Sequence, residues 1–213
     1  MAVNVYVHRM RRDGIQRSRR DEHTEATRQA LLSAGREIFA QEGYQAASME
    51  AISRAARVTR GAFYHHFDDK KALFDAVVVA MQVEAAATIQ ERARAQRKIR
   101  DRLTIGIDAY LDVCLEPAYG RIVIQEAPAV LGNQRYREIE EAHPMALLGA
   151  TLNALKRDGE IAFDDMGLLT RLLDAMICKV AIMLPDADDA RKLRKDAHKL
   201  FESLLTGLSQ KEG

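Results

Sequence analysis

Four prolines and twelve glycines in 213 residues leave few places where the backbone is forced to turn. With alanine, leucine, arginine and glutamate abundant, that scarcity favours helix over sheet. Cysteine is rarer still. Cys114 and Cys178 both fall inside apolar helical patterns, which excludes a disulfide framework and a zinc-ligand spacing and leads to the expectation of a reducing, cytoplasmic setting. No uninterrupted apolar run approaches the ~18 residues that cross a bilayer. The first ten residues also lack the positive-then-apolar order of a signal peptide. Charge of one sign is absent as well: 32 lysines and arginines face 31 acidic residues, so the net charge of +1 identifies no partner. Missing too are a glycine-rich phosphate loop, a serine nucleophile on a strained turn and a metal-binding helix motif. His143, His198, Asp174 and Glu126 stand isolated and read as surface or satisfied helix residues. Neither enzymatic activity nor a cofactor is expected.

What is present is helix, short break, helix, from residue 24 onward. Thr27, Leu31, Ala34 and Ile38 recur at three- and four-residue spacing and predict a helix over 24–42, with Gly43 as a left-handed C-terminal cap. Ser48 caps a short helix whose inward face is Met49, Ile52, Ala55 and Ala56. After a turn at Arg57-Val58, Thr59 caps another that ends at His66. Asp69 opens a long helix over 70–96. Further helices are predicted over 99–115, 118–131, 134–157, 165–184 and 187–209, punctuated by Glu116-Pro117, Gly132-Asn133, Asp158-Gly159 and Pro185-Asp186. Pro128 and Pro144 should kink or split the patterns that contain them. The fold class expected is all-α, with about nine helices and no strand.

The two short helices joined by a tight turn suit insertion into a major groove about 12 Å wide. Phe63 and Phe67, four apart, can anchor the second on Leu31, Ile38 and Ile52, with Val58 plugging the turn. Thr59, Arg60, Gly61, Tyr64 and His65 then face outward. Arg60 can donate two hydrogen bonds to guanine, and Tyr64 and His65 can reach phosphates. Gly61 lowers helix stability by roughly 1 kcal/mol, which close approach to a DNA backbone would justify. Lys70, Lys71 and the first amides of the long helix offer a phosphate clamp. His65 and His66 cannot easily share a metal ion, because adjacent helical residues point about 100° apart; no metal is expected. Arg9, Arg11, Arg12, Arg17, Arg19 and Arg20 precede the first helix as a basic arm. Such an arm either grips phosphates or a minor groove, or is a solvated tail; the sequence leaves both open.

Over residues 27–74 these features, with Phe39, Gly43, Ser48, Ala55-Ala56, Val58-Thr59-Arg60-Gly61, Phe63-Tyr64-His65-His66-Phe67 and Lys70-Lys71-Ala72-Leu73-Phe74, resemble the tetracycline-repressor (TetR) family without a gap. The resemblance implies operator-facing roles for Ser48, Thr59, Arg60, Gly61, Tyr64, His65 and Lys71. Arg57 departs from it, since the family often has glycine at that turn, and this affects the turn geometry. The implied organisation is a basic, flexible arm at 1–23, a helix-turn-helix DNA-binding domain at 24–74, and a helical ligand-binding and dimerisation domain at 75–213. An inducer cavity among the middle helices and a four-helix bundle across a dimer are implied in the same way.

The residues agree with a dimer. Leu168, Leu169, Leu172, Leu173, Met176, Ile177, Val180 and Ala181 form a stripe wider than one contact demands, and Leu193, Ala197, Leu200, Leu204 and Leu208 form a second. For the cavity, Tyr110, Cys114, Gln125, Met145, Asn153 and Cys178 combine apolar bodies with modest polar tips, a mixture that lines pockets and ordinary helical cores alike. Pro128, within 119–132, would leave a carbonyl facing that cavity. The function expected is a repressor that binds a palindromic operator as a homodimer and is released by a small-molecule effector. An activator, an effector-independent DNA binder and a ligand-binding module with a vestigial reader are the alternatives.

Overall fold

The computed structural model describes residues 19–209, and every regular element among them is helical. The arginines at 9, 11, 12 and 17, and with them most of the basic arm, lie outside the described residues. Helix α1 (Arg19–Ala46) begins five residues earlier than the apolar pattern predicts. It is interrupted at Gly43, whose φ of 83° and ψ of 165° lie outside the left-handed helical region expected of a cap. The chain resumes one further turn, closed by Ala47 N–H to Gly43 C=O at 3.1 Å.

Helices α2 (Met49–Ala55), α3 (Arg60–His66) and α4 (Lys70–Arg94) each start on a side-chain cap: Ser48, Thr59 and Asp69 accept from the amides of Ala51, Ala62 and Ala72. Local chemistry sets these starts, so they match the sequence reading. The turn between α2 and α3 is a Schellman arrangement, with Arg57 N–H on Arg54 C=O and Val58 N–H on Ser53 C=O. Arg57 supplies its left-handed residue, at φ 57°. On α2 the buried residues are Ile52 and Ser53, while Ala55 is exposed. Leu31, Phe39, Ile52, Phe63, Phe67, Leu73 and Phe74 form the core beneath these helices. Phe74 meets Phe39 and Tyr44 edge-on, with centroids 5.1 and 5.0 Å away. By length and mean hydropathy α4 could span a bilayer; its Leu73, Phe74, Val77, Val78, Met81, Ala85 and Ile89 are instead buried in this core.

Beyond α5 (Ile99–Cys114) the predicted 118–131 helix is a composite of α6 (Pro117–Tyr119), a π-helical segment (Gly120–Glu126) and α7 (Ala127–Leu131). Pro128 lies just after the widened turn, where Ala127 N–H bonds back to Ile122 C=O. The π-helical segment packs on α1. Pro144 splits the predicted 134–157 helix into α8 (Asn133–Ala142) and α9 (Pro144–Arg157), as its missing N–H requires. Helices α10 (Met166–Met183) and α11 (Ala190–Gly207), capped by Asp165 and Asp189, close the chain.

Candidate DNA-reading face and effector cavity

Each residue expected to face an operator is exposed: Ser48, Thr59, Arg60, Gly61, Tyr64, His65 and Lys71. Thr59 and Ser48 accept helix-capping amides on their hydroxyl oxygens, which leaves each O–H free to donate to a ligand. Arg60, Gly61, Tyr64 and His65 share one face of α3, opposite the fully buried Phe63. Arg60 lies folded over its neighbours: its guanidinium carbon is 5.6 Å from the Tyr64 ring centroid, Nη2 donates to Tyr64 Oη at 3.4 Å, and Nη1 pairs with Glu50 at 3.3 Å. These are surface contacts of small energy, so the guanidinium can exchange them for a base edge.

The two lysines at the start of α4 divide their work. Lys71 is exposed. Lys70, read from sequence as half of a phosphate clamp, instead donates Nζ to the carbonyls of Tyr44, Gln45 and Ala47 at 2.7, 3.2 and 2.8 Å. Those are the orphan acceptors at the end of α1, and an ammonium is drawn to the negative pole there.

A second cross-connection escaped the sequence reading. Arg121 Nη1 donates to Ala40 C=O and Gln41 C=O at 3.0 and 2.8 Å, and Glu126 Oε2 accepts from Tyr44 N–H at 3.0 Å. Arg121 and Glu126 also face each other at 3.6 Å. An ordinary helix points residues five apart about 140° away from each other; the π-helical segment brings them onto one side. Together they clasp the end of α1 on both sides of Gly43. A Cβ on Gly43 would stand 2.7 Å from atoms of both side chains, which explains glycine there beyond its positive φ.

Between α4, α5, α9 and α10 lies a cavity of about 410 Å³. Its walls are mostly apolar, with Ile89, Leu103, Ile107, Leu147, Leu148 and Ile177 prominent, and Gln90, Arg94, Arg102, Tyr110, Thr151 and Asp174 add polar groups. Of the residues expected to line a pocket, Tyr110 does. Cys178 and Cys114 lie behind it: Cys178 Sγ is 3.6 Å from Tyr110 Oη, and Cys114 is buried. Met145 is half-buried on α9 outside the lining. Gln125 is exposed, because Ile122, Val123 and Ala127 occupy the inward positions of that segment. Asn153 is exposed too and donates to Gly149 C=O; the cavity stripe on α9 runs through Leu147, Ala150, Thr151 and Ala154, on another side. Neither Pro128 nor any other residue of 119–132 lines the cavity, so the carbonyl expected to face it does not.

Asp174, read from sequence as a surface or satisfied helix residue, is instead half-buried and lines the cavity. The available signal was a lone acid inside the apolar stretch from Leu172 to Ile177. Glu140 of α8, Asp174 and Cys178 offer ligand atoms within 4.8 Å of one another. Desolvation raises the Asp174 carboxyl to about 6, and desolvation with the adjacent Asp174 charge raises Glu140 to about 7. Burial likewise pushes the Cys114 thiol up to about 12 and raises those of Cys178 and the Tyr110 phenol. On the far side of Tyr110, its ring meets Tyr119 edge-on and the Tyr119 hydroxyl donates to fully buried Gln82 Oε1 at 2.9 Å.

Comparison with known proteins agrees with this geometry. Residues 31–77 match the family model for bacterial regulatory proteins of the TetR family, and residues 100–208 match a tetracyclin repressor-like C-terminal domain. The transposon Tn10 TetC protein of Escherichia coli is 26% identical over 195 residues, 92% of this chain and 98% of its own length. The E. coli transcriptional regulator UidR is 43% identical over 65 residues, 30% of this chain and 33% of UidR. The crystal structure of a TetR-family transcriptional regulator from Pectobacterium atrosepticum is 31% identical, with a TM-score of 0.72 over 92% of this chain and 99% of that one. The two short capped helices with the exposed face of α3, the helical C-terminal half and matches that together reach from residue 31 to 208 lead to one conclusion: this chain belongs to the TetR family of DNA-binding transcriptional regulators.

Proposed function

We propose that the protein is a repressor that binds a palindromic operator as a homodimer and leaves it when a small molecule fills the cavity. The observation that carries this reading is α4. Its first turns pack Leu73, Phe74 and Val77 into the core of the DNA reader, and its last turns give Ile89, Gln90, Ala93 and Arg94 to the cavity wall. A ligand that prefers one tilt of α4 therefore changes the spacing of the two recognition helices. Its differential binding free energy sets the change in DNA affinity, typically ~1–3 kcal/mol. On this reading 24–74 reads DNA and 75–213 senses and dimerises, with α4 shared across that boundary. Such a regulator works in the cytoplasm, beside the DNA it reads.

Dimerisation is supported by the way α10 and α11 divide their apolar stripes. Leu169, Leu173, Ile177, Ala197, Phe201 and Leu205 are buried, whereas Leu168, Leu172, Ile182, Met183, Leu200 and Leu204 are exposed. A two-fold pairing of these faces would set recognition helices about 34–36 Å apart, one turn of DNA.

The test is an electrophoretic shift on the DNA upstream of the protein's own gene, with salt titration and random competitor. Competitor-resistant binding that Arg60→Ala weakens by ~1–3 kcal/mol, and that a small molecule reverses, is the expected result. Weak, steeply salt-dependent binding on every sequence would replace the repressor with a non-specific binder.

A further inference from the structure

We infer that the cavity accepts an organic cation, a molecule with an apolar body and a protonated amine, and that the amine sits against the Asp174 carboxylate. This inference rests on the reading of the cavity as an effector site and adds the chemistry of the effector. The acid pair by itself would be an ordinary half-buried cluster. It becomes a recognition element because Asp174 opens onto 410 Å³ of space walled chiefly by aliphatic side chains.

Within that wall the carboxylate lacks a counter-charge. Among the described residues no lysine, arginine or histidine forms an ion pair with Asp174 or Glu140; the Cys178 thiol lies 4.0 Å from Asp174, and the Tyr136 hydroxyl is the neutral partner of Glu140. Two carboxylates this close and this far from water repel each other, and either protons or an external cation must relieve them. The cations that do line the cavity are elsewhere. Arg94 and Arg102 are exposed, Arg102 is bonded to Gln96 C=O, and Arg102 precedes Tyr110 by two turns of α5, about 12 Å. The acidic end is thus the end away from solvent, where an ion pair is screened least.

An ammonium fits this end better than a metal ion does. A metal needs neither the volume nor the aliphatic walls. An amine gains from both, because its body displaces water from the walls while its head neutralises Asp174. Tyr110 and Cys114 of α5, Tyr119 of α6, Tyr136 and Glu141 of α8, and Cys178 of α10 surround the pair and bring no positive charge. Cation binding favours the ionised carboxylate, so affinity should rise with pH through the interval from about 6 to about 7 and a proton should be released on binding.

Calorimetric titration of the full chain with 4-phenylbutylamine, 4-phenylbutanol and 4-phenylbutyrate compares one apolar body under three head groups. The amine should bind at least ten-fold tighter than either of the others, by a margin that widens as pH rises through 6 to 7. Asp174→Asn should reduce the amine to the alcohol's affinity while leaving alcohol binding and the melting temperature near wild type. Equal or tighter binding of the alcohol or the carboxylate overturns the cation and leaves the effector cavity standing. Binding of none of the three, or tight binding of Zn²⁺ alone through Asp174, overturns it as well. Asp174-dependent amine binding that fails to release DNA would uphold the cation site and sink the effector reading instead.

Discussion

At Gly61 the protein leaves room that its own packing does not use. A Cβ there would meet nothing closer than Thr59 Oγ1 at 3.9 Å, and the backbone is ordinary helix. Glycine in that place weakens the helix by ~1 kcal/mol relative to alanine, and the packing of the chain supplies no reason for it. Gly61→Ala should stabilise the protein by about 0.5–1 kcal/mol in denaturant unfolding while weakening operator binding several-fold. A stabilised variant with unchanged DNA affinity would remove the close-approach role. Arg57 is the reverse case, a side chain held at φ 57° where glycine would be relaxed. Arg57→Gly should raise stability by roughly 0.5–1 kcal/mol, the left-handed penalty less glycine's entropy, without altering which DNA sequence is preferred; loss of stability would show that Arg57 makes contacts worth more than its strain. Gly61 was legible in sequence because a helix-interior glycine violates a local rule, whereas Arg57 stood out only against the family that the sequence resembles.

The caps that begin α2, α3 and α4 are short-range features, which is why those starts could be read from Ser48, Thr59 and Asp69, whereas the cap at Asp189 was not read and the last helix begins three residues later than expected. The π-helical segment is different. Nothing in GRIVIQE announces a widened turn, and the clasp of Arg121 and Glu126 on α1 exists only because that turn aligns residues five apart. Glu126→Gln keeps the shape and removes the charge that accepts the Tyr44 amide. It should speed hydrogen exchange at Tyr44 and lower stability by about 1 kcal/mol, a melting shift of ~2–4 °C for a chain of this size. Unchanged exchange at that amide would show that Glu126 does not hold the end of α1 in place.

On the scale of the whole molecule, α10 and α11 hold exposed leucines in rows that the chain's own core leaves uncovered. Leu172 and Leu200 are 54% and 52% exposed, while Leu173 and Phe201, their neighbours in sequence, are nearly closed off. Placing glutamate at both, Leu172→Glu with Leu200→Glu, should turn a dimeric mass into a monomeric one by light scattering and abolish operator binding at nanomolar protein, with helix content retained. A wild-type monomer at micromolar concentration would refute the dimer outright.

The amino-acid order by itself determined the helices, the inward Phe63 and Phe67, and the outward face of α3, because those follow from caps and from the 3.6-residue period within a single element. It also showed that the apolar stripes on α10 and α11 are wide, and the exposed Leu168, Leu172, Leu200 and Leu204 are the part of them that the chain's own core leaves uncovered. Only the tertiary structure decided which polar groups meet. It took Gln125 and Asn153 away from the cavity, assigned Lys70 to the end of α1, and brought Asp174 beside Glu140 across more than thirty intervening residues. Period says which side of a helix faces inward; it says nothing about which helix lies opposite, and a cavity is made of what several helices fail to fill.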